Sequence, residues 1–226
     1  MSVTSQSAAV SPTVSREPEE TVNSKIAAKP QYFDPENYLI SALKRAVSNK
    51  QDVVIESKGI GKITVLSSRG EYFLNSGDME MLCQADNTLL EVTVLKGNAD
   101  TSYAKQIGRN ISELLWNAGF YASGGRLMKG LLRDDVVELI QWPNFTRIPM
   151  TANSMRMTAL LHRHPTSITL ATRLLKVDTE DAYRFYTAAH CAGIAKVLNH
   201  KPAEPELKPH RNQALLGLLL SKIAGL

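Results

Sequence analysis

Residues 152 to 198 decide how this chain is read: NSMRMTALLHRHP from Asn153, TSITLATRLLKVD from Thr166, and TEDAYRFYTAAHCAGIAKVL from Thr179 to Leu198. Each piece carries a helix start: Asn153 or Ser154, then Thr166 or Ser167 after Pro165, then Asp178 with Asp181. Their side-chain oxygens accept from the unpaired N–H groups of a first turn. Apolar residues recur at helical spacing, as Met157, Leu160 and Leu161, then Ile168, Ala171 and Leu175, then Ala182, Phe185, Tyr186 and Ala189. Gly193 suits a helix C-cap, and Ile194 to Leu198 follow as a β-like tail. Three helices and a tail outline a winged-helix-like unit over residues 149 to 200. The third helix of a DNA reader sets its N-terminal residues against bases and phosphates, and here those residues are Glu180 and Asp181. Two carboxylates repel a phosphate backbone.

Working outward, residues 31 to 148 form a separate α+β domain. Asp34-Pro35 is an N-cap followed by proline at the first helical position. Tyr38, Leu39, Ala42, Leu43, Ala46 and Val47 then make one apolar stripe. DVVIES, KITVLSS, EYFLN and LLEVTVL read as strands of a small antiparallel sheet, with a short helix in DMEMLCQAD. Gly59, Gly61 and Gly70 mark turns that require positive φ. A helix is expected over 103–119 on Ile107, Ile111, Leu114, Leu115 and Ala118, with Trp116 in the core and a break at Gly124-Gly125. Asp134 and Asp135 are expected to begin a helix before Val136, and Pro143 within WPNFTRIP suits an edge strand or a connection.

The ends differ from the middle. Residues 1–30 are rich in Ser, Thr, Val, Ala, Glu and Pro without a period, so disorder is expected there. Residues 201–226 combine a linker holding Pro202, Pro205 and Pro209 with an apolar C-terminal helix carrying Leu216, Leu219, Leu220 and Ile223. Such leucines can anchor a helix in a partner's groove.

Composition sets further bounds. The chain has 226 residues, 43% of them hydrophobic and 21% charged, with a net charge of +4 spread along its length. That is an ordinary globular composition and too diffuse a charge to specify a polyanion partner. Cys83 and Cys191 lie in apolar contexts, which suits buried thiols in a reducing compartment. No signal-type apolar segment opens the chain and no apolar run reaches the roughly 20 residues needed to span a bilayer. A cytoplasmic protein with no membrane span is expected.

Catalytic patterns are weak. KGIGKIT at 58–64 has Glu56 where a phosphate loop needs glycine and Ile63 where it needs Ser or Thr, so it reads as a strand turn. His162, His164, His190 and Cys191 lack metal-ligand spacing. Adjacent carboxylates such as Asp134 and Asp135 rarely converge on one substrate. No catalytic residue, cofactor-binding residue or metal ligand is assigned, and the expectation is a protein that is not an enzyme.

YLISALKRA ahead of KITVLSSRGEYFLN, together with MTALLHRHPTSITLATRLLKVDTEDAYRFYTAAHCAGIA, resembles the PatA-type bacterial regulators, in which an N-terminal domain of unknown function precedes a degenerate winged helix. The resemblance covers about two-thirds of the chain, and no receiver domain is expected within these 226 residues. It implies a scaffold or adaptor in bacterial signalling or motility, acting beside a small GTPase of the Ras-like polarity systems or a motility component. Glu180, Asp181, Arg184, Leu216, Leu219, Leu220 and Ile223 are the residues expected to touch a protein partner. The alternative is a winged-helix DNA-binding regulator using Arg156, Arg163, Arg173, Lys176, Arg184 and Lys196. Those cations do not cluster densely enough for a strong counterion-release contribution, so the adaptor reading is preferred.

Overall fold

The computed structural model describes residues 32–95, 103 and 105–199. The fold is α+β. Its main sheet is antiparallel with five strands, in the order β5 (Glu91–Val94), β2 (Val53–Ser57), β3 (Gly61–Leu66), β4 (Glu71–Gly77), β6 (Arg109–Asn110). Period-two alternation explains the buried face: Val53 opposes Val65 and Ile55 opposes Ile63, and all four are buried. Two helices supply apolar residues to that core, α1 (Leu39–Ser48) through Leu39, Ile40 and Leu43, and α2 (Met79–Gln84) through Leu82 and Cys83. Gly61 has no positive φ, contrary to the expectation for that turn. It is glycine because a Cβ there would lie 2.5 Å from the Ser76 carbonyl on the paired strand.

Helix α3 (Ile111–Ser123) begins later than the sequence pattern suggests. Arg109 and Asn110 instead extend the sheet by pairing with Tyr72 and Glu71, and the Asn110 side chain then accepts from the Ser112 N–H at 2.8 Å. Ile107 is therefore outside the helix and 94% exposed. A short parallel pair, β1 (Tyr32–Phe33) with β7 (Leu127–Met128), sets the first described residues against the segment after α3.

The remaining helices are α4 (Ser154–Arg163), α5 (Ile168–Leu175) and α6 (Thr179–Cys191). The Ser167 hydroxyl caps α5 by accepting from the Leu170 N–H at 3.2 Å. A three-stranded antiparallel sheet runs in the order β10 (Ala195–Val197), β8 (Val136–Leu139), β9 (Thr166–Ser167). β8 occupies the place where a helix start at Asp134 and Asp135 was expected. The two acids have separate fates: Asp134 is exposed, whereas Asp135 is buried and accepts from the Leu132 N–H at 2.8 Å.

α3 and α6 form the most extensive helix pair, and Gly119 permits their approach, since a Cβ there would fall 3.0 Å from the Ala188 Cα and the Thr187 carbonyl. One continuous cluster of buried side chains runs from Phe33 and Leu43 through Trp116 to Phe185 and Cys191. The boundary expected near residue 148 lies within this one cluster. Cys83 and Cys191 are buried and free. Among the described residues, no helix is long and apolar enough to cross a membrane.

Candidate functional site

The N-terminus of α3, the loop after β8 and the C-terminal end of α6 enclose a cleft of about 440 Å³. Its walls include Trp116, Gln141, Trp142, Asn144 and Ile148, and Gly193 lies at its margin. The loop is held from both sides. Trp116 Nε1 donates to the Pro149 carbonyl at 2.9 Å, and its ring meets Phe145 edge-on at 6.0 Å and Phe185 edge-on at 5.7 Å. Asn144 closes a local turn by accepting from the Thr146 hydroxyl at 2.7 Å.

Glu113 supplies the charge of the cleft. It stands in the first turn of α3, where the helix dipole favours an anion. Its side chain is 12% exposed, with Arg109 Nε at 3.1 Å from one carboxylate oxygen and Arg147 Nη1 at 3.5 Å from the other. Arg109 also donates to the Arg147 carbonyl at 2.7 Å, so one arginine fastens both helix and loop.

Trp142 stands 49% exposed at the rim. Its ring meets His162 edge-on at 6.0 Å, and His162 Nδ1 donates to the Leu139 carbonyl at 2.8 Å. That bond fixes the imidazole orientation and makes His162 a support for the tryptophan. The arrangement offers a fixed aromatic wall beside a neutralised carboxylate. Among the described residues no group of three His, Cys, Asp or Glu is placed to hold a metal ion.

The residues expected at a partner surface lie elsewhere. Glu180 is exposed at the start of α6, its Cβ so close to Gly125 that a side chain there would meet it at 2.9 Å. Asp181 accepts from Asn153 Nδ2 at 2.9 Å and so ties α6 to the start of α4. Arg184 is half-buried with its guanidinium 5.3 Å from the Phe120 ring centroid. These three share one end of α6, while the cleft meets the other end through Ala192 to Ile194. Leu216, Leu219, Leu220 and Ile223 lie outside the described residues. Of the proposed DNA-contacting cations, Arg156 donates to the Leu175 carbonyl at 2.6 Å, and Arg163, Arg173, Lys176 and Lys196 are exposed.

The sequence pattern gives no sign of a buried polar pair on α6. The Tyr186 hydroxyl donates to the Asp135 carboxylate at 2.7 Å, and both residues are fully buried. Burial, then the bond to that carboxylate, pushes the phenol well above its usual value. Burial also raises both thiols, Cys191 to about 11, which leaves them protonated and unreactive at neutral pH. No protein-family model, no curated protein and no solved structure matches the chain.

Proposed function

We propose that this chain is a non-enzymatic protein-interaction adaptor of bacterial signalling or motility, working in the cytoplasm with a small Ras-like GTPase or a motility component as its partner. The resemblance to the PatA-type regulators supplies the pathway class. The observation that carries the adaptor reading is the burial of α6. A helix that reads DNA must present one face to the major groove. Eight of the thirteen residues of α6 are buried, and α3 lies along it at the Gly119 crossing. The charges its N-terminal turn offers to solvent are Glu180 and the half-buried Asp181.

The open cleft is the better place for a partner. An exposed tryptophan with a fixed ring contributes large contact area at low entropic cost, which is why Trp is enriched among residues that dominate binding energy. Glu180, Arg184 and the C-terminal Leu216, Leu219, Leu220 and Ile223 remain proposed contacts of the same adaptor.

Capture by the full-length tagged chain tests the reading when wild type and Trp142→Ala are compared. The expected result is a GTPase or motility protein retained by wild type and lost by the variant, with the melting temperature of the two chains the same within about 2 °C, the range expected for an exposed side chain. Micromolar, salt-sensitive binding of random duplex DNA at low salt, unchanged by Trp142→Ala, would overturn it in favour of the DNA-binding regulator.

A further inference from the structure

β5 is an edge strand. β2 takes one of its sides, and among the described residues nothing pairs with the other. The Leu95 N–H donates to the Asp52 carbonyl at 2.9 Å, in continuation of the β2 register. Hydrogen-bonded and non-bonded positions alternate along an antiparallel pair, so Thr93 and Glu91 also point their backbone groups at β2. Val92 and Val94 point theirs outward.

The side chains of those two valines lie on the core face, opposite buried Ile55 and Val53. Each is nevertheless 44% exposed, because α1 does not reach over the edge. A trough of about 260 Å³ is left there, with Ala42 and Ala46 as one wall, Val92 and Val94 as the other, and Arg45 as the charged residue of its lining. Arg45 Nε donates to the Ser41 carbonyl of its own helix at 3.3 Å. The ion pairs among the described residues give it no carboxylate.

We propose that this edge receives an extended peptide of a partner protein as an added strand, with apolar side chains over Val92 and Val94 and a Glu or Asp side chain on Arg45. The outward N–H and C=O groups of the two valines would supply main-chain bonds, and the trough would select the alternate side chains. Charge decides between occupants. A second copy paired edge to edge sets another Arg45 against this one and opposes like charges, whereas an acidic strand offers the guanidinium, which has no carboxylate among the described residues, a charge-assisted bond. The sequence of β5, Glu-Val-Thr-Val, has none of the lysine or proline that sheets use to blunt an edge, and its pairing with β2 has no bulge. Trough and Trp142 cleft share no lining residue, so this inference and the adaptor cleft are tested separately.

Fluorescence anisotropy with two labelled synthetic peptides tests it on the full chain. The acidic probe is acetyl-Thr-Val-Thr-Val-Thr-Glu-Thr-amide, which sets Val, Val and Glu on one face, and its counterpart carries Lys in place of Glu. The acidic probe is expected to bind about tenfold more tightly than the lysine probe. Arg45→Glu, a change on an exposed position, should invert that order, and Val94→Pro should abolish binding by removing an outward N–H while leaving the bonds to β2. Equal affinity for the two probes, no binding of either up to about 1 mM, or an order that Arg45→Glu leaves unchanged would overturn the proposal. A chain that sediments as a dimer and becomes monomeric on Val94→Pro would overturn it too, by assigning the edge to a second copy.

Discussion

Replacing Tyr186 with Phe removes one oxygen from a position that solvent does not reach, and the structure fixes what that should cost. The hydroxyl donates to Asp135 at 2.7 Å, and both residues are fully buried. A hydrogen bond to a charged acceptor contributes about 1.5–3 kcal/mol, and here the carboxylate keeps the Leu132 N–H but loses the phenol at a place solvent does not reach. For a domain of this size 1 kcal/mol moves the melting temperature by about 2–4 °C, so Tyr186→Phe should melt about 3–12 °C below wild type at pH 7. The pH dependence is more diagnostic. Burial and the bond to Asp135 raise the phenol above its ordinary 10.0, so the native state holds this proton more tightly than the unfolded chain does. The corresponding stability is fully present below pH 10 and is lost as the pH climbs toward the folded value, by about 1.4 kcal/mol per pH unit. The gap between wild type and Tyr186→Phe should therefore narrow by about 1.4 kcal/mol by pH 11 and close by about pH 12 in a urea titration followed by circular dichroism. A variant as stable as wild type at pH 7, or a gap that stays constant through pH 11, would refute the buried bond.

Phe185, 1% exposed and edge-on to Trp116, should lose about 3–5 kcal/mol when truncated to Ala, whereas exposed Glu180→Ala should stay within about 0.5 kcal/mol in the same denaturant titration. Near-neutral Phe185→Ala would mean that α6 turns a different face toward Trp116. Gly119→Ala should destabilise by about 1–3 kcal/mol even though Ala favours a helix over Gly, because the new Cβ meets backbone of α6 rather than a movable side chain. A stabilising Gly119→Ala would place the α3–α6 contact elsewhere. Cys83 and Cys191 should react with an aromatic disulfide reagent at pH 8 only as fast as the protein unfolds, since both are buried with raised thiol values. Rapid labelling of either in the native state would contradict that burial.

The parts of this fold that sequence makes legible are those whose signals are local. Alternation over DVVIES and KITVLSS places Ile55 and Ile63 on one face, and the pairing of β2 with β3 uses that register. The Ser167 cap can be read because the hydroxyl and the N–H it satisfies are three residues apart. Local reading misleads where a residue has the right phase and the wrong partner. Ile107 continues the apolar period of α3, but Arg109 and Asn110 gain more from sheet pairing and a cap than from an added helical turn. Asp135 reads as a surface cap, and its buried partner, the Tyr186 hydroxyl, comes from 51 residues away.

α6 shows how a pattern can be noticed and its consequence missed. Ala182, Phe185, Tyr186 and Ala189 give one stripe, which suggests a helix with one free face. Tyr183, Ala188 and Cys191 are apolar as well and fall off that stripe, and all seven are buried. From Asp181 to Cys191 no residue of α6 is exposed, which makes it a central helix. That property, more than the acids at its start, is what favours the adaptor proposal over a reading helix, and it goes with a second layer of structure that covers the remaining face. α3 is that layer, and Gly119 is where it comes close enough. The cleft is a consequence of the same packing: with α3 laid against α6, the loop after β8 must pass over their joined ends. Trp116 and Phe145 hold it there, and Trp142 is left at the rim.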